Sequence, residues 1–320
     1  MLDGLQRNID YLRVSVTDRC NLRCIYCMPE NGVECLSHAD ILRYEEILRL
    51  ARIFAGLGVK KIRLTGGEPL VRRGLPELVA GLTAIDGIEQ VTLTTNGVLL
   101  AEQLPGLMAA GLGGVNVSLD TTNEDTFRRL TRREGVGRVL AAIDASLAAG
   151  LPTKVNCVPA APEAELLALA ELARTRPLPV RFIELMPIGL GKSLPRRSEG
   201  ELRALLEGAF GPLTPYEGTL GSGPCRYFTI PGFQGQIGFI SAMSHQFCGQ
   251  CNRVRLTANG FLKTCLQYDR GVRLKPLLSG SDEALAAAMA DAIRQKPAAH
   301  QFTRAVVPGG EGHMMSQIGG

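Results

Sequence analysis

Residues 11–27 read YLRVSVTDRCNLRCIYC, and this stretch sets the expectation for the rest of the chain. Its first part, Tyr11–Val16, is rich in apolar and β-branched residues and predicts a strand. Three cysteines, Cys20, Cys24 and Cys27, follow within eight residues. A loop in this position lies at the carboxyl edge of a parallel sheet, where such folds place their chemistry. The segment therefore predicts a strand that carries three thiols to that edge.

Strands alternate with helices through the first two thirds of the chain, which argues for parallel βα units. The predicted strands are Tyr11–Val16, Lys60–Thr65, Gln90–Thr95, Gly114–Leu119, Thr153–Val158 and Val180–Glu184. The predicted helices between them are Tyr44–Leu57, Leu75–Ile85, Ala101–Ala110, Gly137–Ala149 and Glu163–Arg174. Six such units are fewer than the eight of a closed barrel. The predicted fold class is therefore α/β, an incomplete (β/α)6 barrel of the TIM type.

The pattern changes after residue 210, where glycine and proline cluster and short strands follow one another across turns. The predicted antiparallel strands are Tyr227–Ile230, Gln236–Ile240, Val254–Thr257 and Phe261–Thr264. An alanine-rich helix over Asp282–Lys296 comes next. We therefore expect two domains, a partial barrel over residues 1–210 and an antiparallel β plus helix extension over residues 211–320.

Composition excludes several classes of protein. With 35 basic and 31 acidic residues, the net charge of +4 is too mild to indicate a nucleic-acid or membrane partner. No apolar run reaches the roughly 20 residues that span a bilayer. The amino terminus lacks the apolar core and cleavage site of a signal peptide. We expect a cytoplasmic protein.

The nine cysteines require a different explanation from disulfides, because a reducing cytoplasm keeps thiols free as metal ligands. Three thiolates in the first group can hold three irons of a [4Fe–4S] cluster and leave the fourth iron open. A structural zinc would need a fourth ligand, for which Cys35 and His38 are the nearest candidates. A cluster is the preferred interpretation, with Cys35 left outside it.

The same reasoning applies to a second group of three thiols in the C-terminal part of the chain, Cys248, Cys251 and Cys265. The predicted hairpin between the last two can bring all three together around a second cluster whose open iron faces a substrate. His245 makes a Cys3His zinc site the alternative. Arg253 and Arg255 alternate on one strand and share a face, where they could grip a polyphosphate or a carboxylate.

The first cysteine group, with Tyr26 before its last thiol, resembles the radical S-adenosylmethionine superfamily. Gly66-Gly67-Glu68-Pro69 at the end of the second strand supports this, because paired glycines allow close approach and a carboxylate can receive an ammonium group. The resemblance implies that the methionine end of S-adenosylmethionine chelates the open iron. The residues it places at this cofactor are Tyr26, Gly66, Gly67, Glu68, Ser118 and Met186.

The second group narrows the likeness to the MoaA family, the GTP 3′,8-cyclases of molybdenum cofactor biosynthesis. Further matching stretches are residues 11–20, residues 62–70, Thr94–Gly97, Met186–Gly189 and the tail Ile318-Gly319-Gly320. The likeness covers essentially the whole chain. The residues it implies at GTP are Arg13, Arg63, Thr94, Lys154, Arg253, Val254 and Arg255.

The resemblance also implies a reaction. The reduced first cluster would split S-adenosylmethionine, and the resulting 5′-deoxyadenosyl radical would take hydrogen from C3′ of GTP, so that C3′ attacks C8. The resulting nitrogen-centred radical would then take up an electron, through the second cluster, and a proton to give (8S)-3′,8-cyclo-7,8-dihydroguanosine 5′-triphosphate. Arg253, Arg255 and the tail residues Gly319 and Gly320 are implied in catalysis. The family suggests a homodimer, an external electron donor and delivery of product to the cyclic pyranopterin monophosphate synthase.

Two other functions are compatible with parts of the pattern. Another radical enzyme with an auxiliary cluster, such as a peptide-modifying maturase, would share both cysteine groups. A zinc-stabilised nucleic-acid-binding protein would share only the second group, and 5% aromatic residues with no tryptophan provide few stacking surfaces for it. Cys35, Cys157 and Cys225 have no task in any of these hypotheses.

Overall fold

The computed structural model describes residues 1–302 and 309–319. Its strands are β1 (Tyr11–Ser15), β2 (Lys61–Thr65), β3 (Gln90–Thr95), β4 (Val115–Ser118), β5 (Thr153–Cys157), β6 (Val180–Ile183), β7 (Thr214–Pro215), β8 (Arg226–Thr229), β9 (Ile237–Ile240), β10 (Arg253–Leu256), β11 (Phe261–Lys263) and β12 (Gly271–Arg273). Its α-helices are α1 (Tyr44–Gly56), α2 (Leu75–Thr83), α3 (Leu100–Ala109), α4 (Glu124–Thr131), α5 (Val136–Ala148), α6 (Glu163–Thr175), α7 (Glu199–Phe210) and α8 (Asp282–Arg294).

Strands β1 to β6 pair in parallel and in chain order, each joined to the next by at least one helix. The predicted incomplete barrel is confirmed, since the sheet does not close on itself. All six predicted barrel strands are present to within a residue or two at each end. Helices α4 and α7 are additional to those the periodicity predicted.

The C-terminal strands extend the same sheet at both of its ends. The hairpin β10–β11 is antiparallel as expected, but β10 also pairs in parallel with β1. At the opposite end β9 pairs in parallel with β6 and antiparallel with β8. The complete order is β12-β11-β10-β1-β2-β3-β4-β5-β6-β9-β8-β7. The second cysteine group is therefore built onto the strand beside the first.

Each barrel strand has an apolar face and a polar face. On β1, Leu12 and Val14 are fully buried in the hydrophobic core, whereas Arg13 between them lies on the other face and lines a cavity. On β5, Val155 is core and Lys154 lines the same cavity. This alternation follows from the two-residue period of a strand. The helices cover the apolar face, so the polar side chains converge on the concave side of the sheet.

Apolar faces of the helices complete the core. In α1 the buried positions include Ile47, Leu50 and Phe54, which are spaced by three and four residues and so form one stripe. Of the helices that the structure describes, none is long and apolar enough to cross a bilayer. Sheet and helices together leave the carboxyl ends of the parallel strands facing the cavity, and both cysteine groups border it.

Candidate active site

The loop after β1 carries the first cysteine group and is fixed by backbone hydrogen bonds to α4. Arg23 N donates to Thr131 O at 2.8 Å, and Ile25 N donates to Leu130 O at 2.9 Å. A turn then brings Cys27 N to Cys24 O at 2.9 Å. The sequence segment between Cys20 and Cys27 is thus held as a rigid loop whose three thiols line the cavity.

Burial dominates the chemistry of these three thiols. It raises the pKa of Cys20 to about 11 and that of Cys27 to about 12. The pKa of Cys24 lies well above its usual value, because burial is reinforced by the neighbouring Cys27 and Asp120. Three half-buried thiols that repel one another as thiolates are suited to a cationic inorganic centre, since metal binding deprotonates them.

The glycine pair after β2 allows the cysteine loop to contact the second strand. A Cβ on Gly66 would lie 2.5 Å from Thr17 O, and a Cβ on Gly67 would lie 2.4 Å from Arg19 O. Gly67 N also donates to Thr17 O at 2.8 Å. No larger residue fits at either position without moving the loop, so the pair sets the distance between the thiols and the end of β2.

Glu68, predicted at the cofactor, is almost completely buried and accepts hydrogen bonds from the protein. The backbone N–H groups of Leu70 and Asn96 donate to it at 3.0 and 2.7 Å, and the Thr95 hydroxyl donates at 2.7 Å. Burial raises the pKa of this carboxyl to about 7 despite these donors. The carboxylate therefore ties the end of β2 to the end of β3, directly under the cavity wall.

Tyr26 lies beside the thiols, and its hydroxyl donates to Asp120 at 2.6 Å. Asp120 follows β4 and accepts a second bond from Val158 N at 2.8 Å, which crosses to the end of β5. Burial raises the pKa of Asp120 to about 6, although both hydrogen bonds oppose this. The structure thus adds Asp120 to the site, where it fixes the ring of Tyr26.

The second cysteine group borders the same cavity from the other side of β1. Cys248 begins a short 3-10 turn, Cys251 precedes β10, and Cys265 follows β11. In the described chain, neither cysteine group brings three ligand atoms within 4.8 Å of one another. One tetrahedral zinc would need such proximity, whereas each thiol of a four-iron cluster binds a separate iron.

The alternative of a Cys3His zinc site at the second group also lacks its fourth ligand, His245. Nδ1 of His245 lies 3.2 Å from Arg226 and 3.5 Å from the Glu199 carboxylate, and the side chain is 58% exposed. These contacts place His245 in a surface ion-pair cluster rather than among the cysteines. The donor set of the second group is therefore three thiols, as in the first.

Positive charge surrounds the second group. The ammonium of Lys296 and the guanidinium of Arg253 both lie beside the Cys251 thiol. Burial alone would raise the pKa of Cys251, but these two cations bring it down to about 7. The pKa of Cys248 is raised, by burial and by the two other thiols. The second group thus contains one thiol that ionises near neutral pH.

Arginines from three adjacent strands form a row across the cavity floor. Parallel register places Arg13 opposite Arg63 on one side and opposite Arg255 on the other. Arg63 donates to the Tyr11 hydroxyl and, at 3.3 Å, to the Thr94 hydroxyl. Burial and the adjacent Arg255 depress the pKa of Arg13, while burial and Arg253 lower that of Arg255 to about 10. Such a row of crowded cations favours a polyanionic ligand.

More cations continue this row toward β6. Burial and the charges of Arg181 and Arg63 lower the pKa of Lys154 to about 8. The buried Nε of Arg181 finds no acceptor within the described residues. Lys61 donates to Ser222, in the glycine-rich segment that lines the cavity mouth. These groups extend the anion-binding surface well beyond Arg13 and Arg63.

The C-terminal tail enters the site and touches both halves of it. The Gly319 carbonyl accepts hydrogen bonds from Arg255 at 3.1 Å and from Thr65 at 3.1 Å, and Arg13 approaches it at 3.5 Å. Three residues earlier, the backbone N–H of Ser316 lies beside the Cys27 thiol. Gly319 has a φ of +82°, which favours glycine. Gly320 lies outside the described residues.

The remaining predicted residues are placed as follows. Ser118, Met186 and Thr94 line the cavity. Val254 does not, because the alternation of β10 turns its side chain into the hydrophobic core while Arg253 and Arg255 face the cavity. Any contact of Val254 with substrate would therefore involve its backbone.

Among the cavity residues that were not identified from the sequence are Asp120, Arg181, Lys296 and His300. The first two carried a usable signal. Asp120 is a carboxylate directly after a strand, and Arg181 is a cation inside an apolar strand next to the predicted Lys154. Lys296 and His300 lie at and beyond the end of α8, where no local pattern sets them apart from surface residues.

Comparison with known proteins agrees with this geometry. Residues 14–173 match the model of the Radical SAM superfamily, and residues 178–302 match that of Molybdenum Cofactor Synthesis C. A GTP 3′,8-cyclase of Moorella thermoacetica is 46% identical, with the whole of both chains covered. A GTP 3′,8-cyclase of Geobacter sulfurreducens is 44% identical over all of this chain and 99% of its own.

Among solved structures, Streptococcus suis SuiB bound to S-adenosylmethionine is similar in fold. Its TM-score is 0.62 at 15% identity, over 90% of this chain and 68% of that one. This likeness supports the fold alone, whereas the full-length identities above 40% settle the family. The chain belongs to the GTP 3′,8-cyclase family within the radical S-adenosylmethionine superfamily.

Proposed function

We propose that the cavity between the two cysteine groups is where this chain performs the GTP 3′,8-cyclase reaction, the first step of molybdenum cofactor biosynthesis. One observation carries the proposal: two three-thiol groups and a row of buried cations border one cavity. Three thiols leave one iron of a four-iron cluster open, and the cations suit a triphosphate. A peptide substrate would not need such converging ligands for phosphate.

The first group would hold one [4Fe–4S] cluster and S-adenosylmethionine, which supply the radical chemistry when bound. The rigid loop fixes the three thiols, and the Tyr26–Asp120 hydrogen bond fixes the ring beside them. Gly66, Gly67 and Glu68 build the adjoining wall. We assign Tyr26, Gly67, Ser118 and Met186 to the cofactor on these positions and on the family resemblance.

The second group, Cys248, Cys251 and Cys265, would hold the other [4Fe–4S] cluster and orient GTP. Arg13, Arg63 and Lys154 would bind the triphosphate, with Thr94 hydrogen-bonded to Arg63. Arg253 and Arg255 stand between this cluster and the tail. Orientation of both reactants is worth roughly 7–11 kcal/mol when it replaces a bimolecular encounter.

We further propose a division of labour along the chain, with residues 1–210 serving S-adenosylmethionine and residues 211–320 serving the second cluster and supplying the tail. The cytoplasm suits a protein whose nine cysteines are all free thiols. A homodimer, an external electron donor and transfer of product to the cyclic pyranopterin monophosphate synthase are proposed on the family resemblance.

One assay tests the function. Anaerobically reconstituted protein should contain about eight irons per chain, four for each cluster. With GTP, S-adenosylmethionine and a strong reductant, it should yield 5′-deoxyadenosine and a cyclised product with the mass of GTP. Zinc without iron would refute the proposal. 5′-Deoxyadenosine without conversion of GTP would keep the superfamily and reject the substrate.

A further inference from the structure

Lys296 is a buried lysine just beyond the end of α8, and its ammonium binds backbone next to the second cysteine group. It donates to Arg253 O at 3.0 Å and to Thr264 O, and it lies beside the Cys251 thiol. Only 6% of the residue is exposed. An ammonium carries only donors and no acceptor, so the two carbonyls suit it in its charged form.

The two carbonyl groups that Lys296 binds belong to the two segments that carry thiols. Arg253 lies two residues after Cys251, and Thr264 immediately precedes Cys265. These segments are the two arms of the β10–β11 hairpin, and the lysine spans them at the end where the thiols lie. Removal of the side chain would leave two carbonyls without this donor.

The backbone of Lys296 is itself fixed from the amino terminus. Arg7 donates to Lys296 O at 3.3 Å, to Pro297 O at 2.9 Å and to Cys248 O at 2.9 Å. Arg7 is in turn held by Asp3 at 2.6 Å. The lysine therefore belongs to a rigid assembly that touches the segments of all three cysteines.

We propose that Lys296 is a positioning residue of the second iron–sulfur centre, which it aligns by bridging the two thiol-bearing arms and whose reduction it favours with a fixed positive charge. The proposal rests on the function proposed above, that these cysteines hold a cluster. Reduction adds an electron to the centre, and a buried cation beside its sulfurs stabilises the added charge. The first cysteine group has no comparable lysine among the described residues that contact its thiols.

The test measures the midpoint potential of the second centre by a redox titration followed by electron paramagnetic resonance. The full-length chain carries Cys20→Ser, Cys24→Ser and Cys27→Ser, so that only the second centre contributes. Lys296→Met removes the charge and the donors, Lys296→Gln keeps donors without charge, and Lys296→Arg keeps both. Lys275→Met is the matched control, because Lys275 also donates to two backbone carbonyls, Ala39 O and Ile41 O, but does not line the cavity that these thiols border.

We expect the Met and Gln variants to bind the same iron as the parent and to titrate at a more negative potential. The Arg variant and the Lys275→Met control should stay near the parent. Loss of iron in the Met and Gln variants with retention in the Arg variant would also support a need for the charge. Unchanged potentials in the Met and Gln variants would overturn the proposal. The proposal would also be overturned if the Arg variant shifted its potential, or lost iron, as much as the Met and Gln variants do.

The parent chain separates this proposal from the function on which it rests. If the parent with serines in the first group contains no iron at the second group, the proposed function fails before Lys296 is tested. If it contains a four-iron centre with a measurable potential, an unchanged potential in the Lys296 variants counts only against the role of Lys296.

Discussion

The two cysteine groups contain the same number of thiols and border the same cavity, yet the charged side chains beside their thiols differ. Burial raises the pKa values of Cys20 and Cys24, and the carboxylates Glu68 and Asp120 reinforce this increase. Cys251 faces Lys296 and Arg253, and its pKa is lowered to about 7. Each group offers three thiols, but the charges beside those thiols differ. Because charge and hydrogen bonding at the sulfurs tune the reduction potential of a cluster, the two centres are expected to have different tasks.

The largest expected effect separates these tasks. Cys24→Ser should reduce formation of both 5′-deoxyadenosine and cyclised product by more than about 1,000-fold, because reductive cleavage of the cofactor begins at the first group. Cys251→Ser should reduce the cyclised product equally while 5′-deoxyadenosine still forms, since that variant leaves the first loop intact. Mass spectrometry of both products checks this.

Cys35→Ser is the control for these serine variants. Its thiol is exposed and contacts only Val33 O at 3.7 Å among the hydrogen bonds of the described residues, so both products should be unchanged. If Cys251→Ser also abolished 5′-deoxyadenosine, the two groups would not differ in task and the comparison would fail.

A smaller effect should appear in the thiols themselves, before any metal binds. In metal-free protein at pH 7, Cys251 should react with iodoacetamide about 100-fold faster than Cys20. Its thiolate is far more populated, and its lower intrinsic nucleophilicity cancels only part of that gain. Rates for each cysteine can be read by peptide mass spectrometry, with exposed Cys35 as the accessible reference. Equal rates for Cys251 and Cys20 would contradict this difference between the charges beside the thiols.

The tail connects the two groups, and Gly319 is where it can be interrupted. A Cβ at this position would lie 3.1 Å from the Thr65 hydroxyl and 3.2 Å from Ser15 Cβ, on a backbone with φ of +82°. Strain of about 1–3 kcal/mol should displace the tail carbonyl from Arg255. Gly319→Ala is therefore expected to lower the rate of cyclisation about 10-fold to 100-fold, with both clusters still assembled.

The matched substitution is Gly312→Ala, because a Cβ there would meet nothing within 4 Å. It should cyclise GTP at the normal rate. Loss of iron in Gly319→Ala would show that the tail supports folding of the site, through contacts such as Ser316 to Cys27, rather than acting on the substrate.

Local features of this site could be predicted from the sequence, and features made by distant contacts could not. The spacing of Cys20, Cys24 and Cys27 lies within one loop, so the ligand set can be recognised without the fold. Lys296 meets Cys251 because the chain after α8 returns to the β10–β11 hairpin, and the hairpin lies beside the first group because β10 pairs with β1. That pairing joins residues some 240 positions apart, and no periodicity in the chain specifies it.

The same distinction between local features and distant contacts explains which strand pairings could be predicted. The alternation of strands with helices along the first two thirds of the chain predicted the barrel, because such a pattern is typical of parallel βα units. The parallel pairing of β9 with β6 was not predicted, since short strands separated by turns normally pair only with their neighbours. Arg181 was missed for a related reason: inside an apolar strand it resembles an edge residue until the cavity is seen.

The smallest expected effect tests how far the basic surroundings of the second group extend. Burial and the charges of Arg181 and Arg63 lower the pKa of Lys154 to about 8. A lowered lysine pKa means that the amine is charged at pH 7 and becomes neutral as the pH rises through 8. GTP binding, which favours the charged amine, should then require proton uptake. The dissociation constant for GTP should rise up to about eightfold between pH 7.5 and 9.

Lys154→Arg should remove this dependence, because a guanidinium stays charged throughout that range. Titration of GTP into reconstituted protein without S-adenosylmethionine, by calorimetry at several pH values, measures both profiles. A steep pH profile of the dissociation constant in the parent and a flat one in the variant would place Lys154 at the triphosphate. Lys154 lies more than one strand away from the row formed by Arg13, Arg63 and Arg255. A parent profile as flat as that of Lys154→Arg would confine the anion-binding surface to the arginines of β1, β2 and β10, next to the second cysteine group.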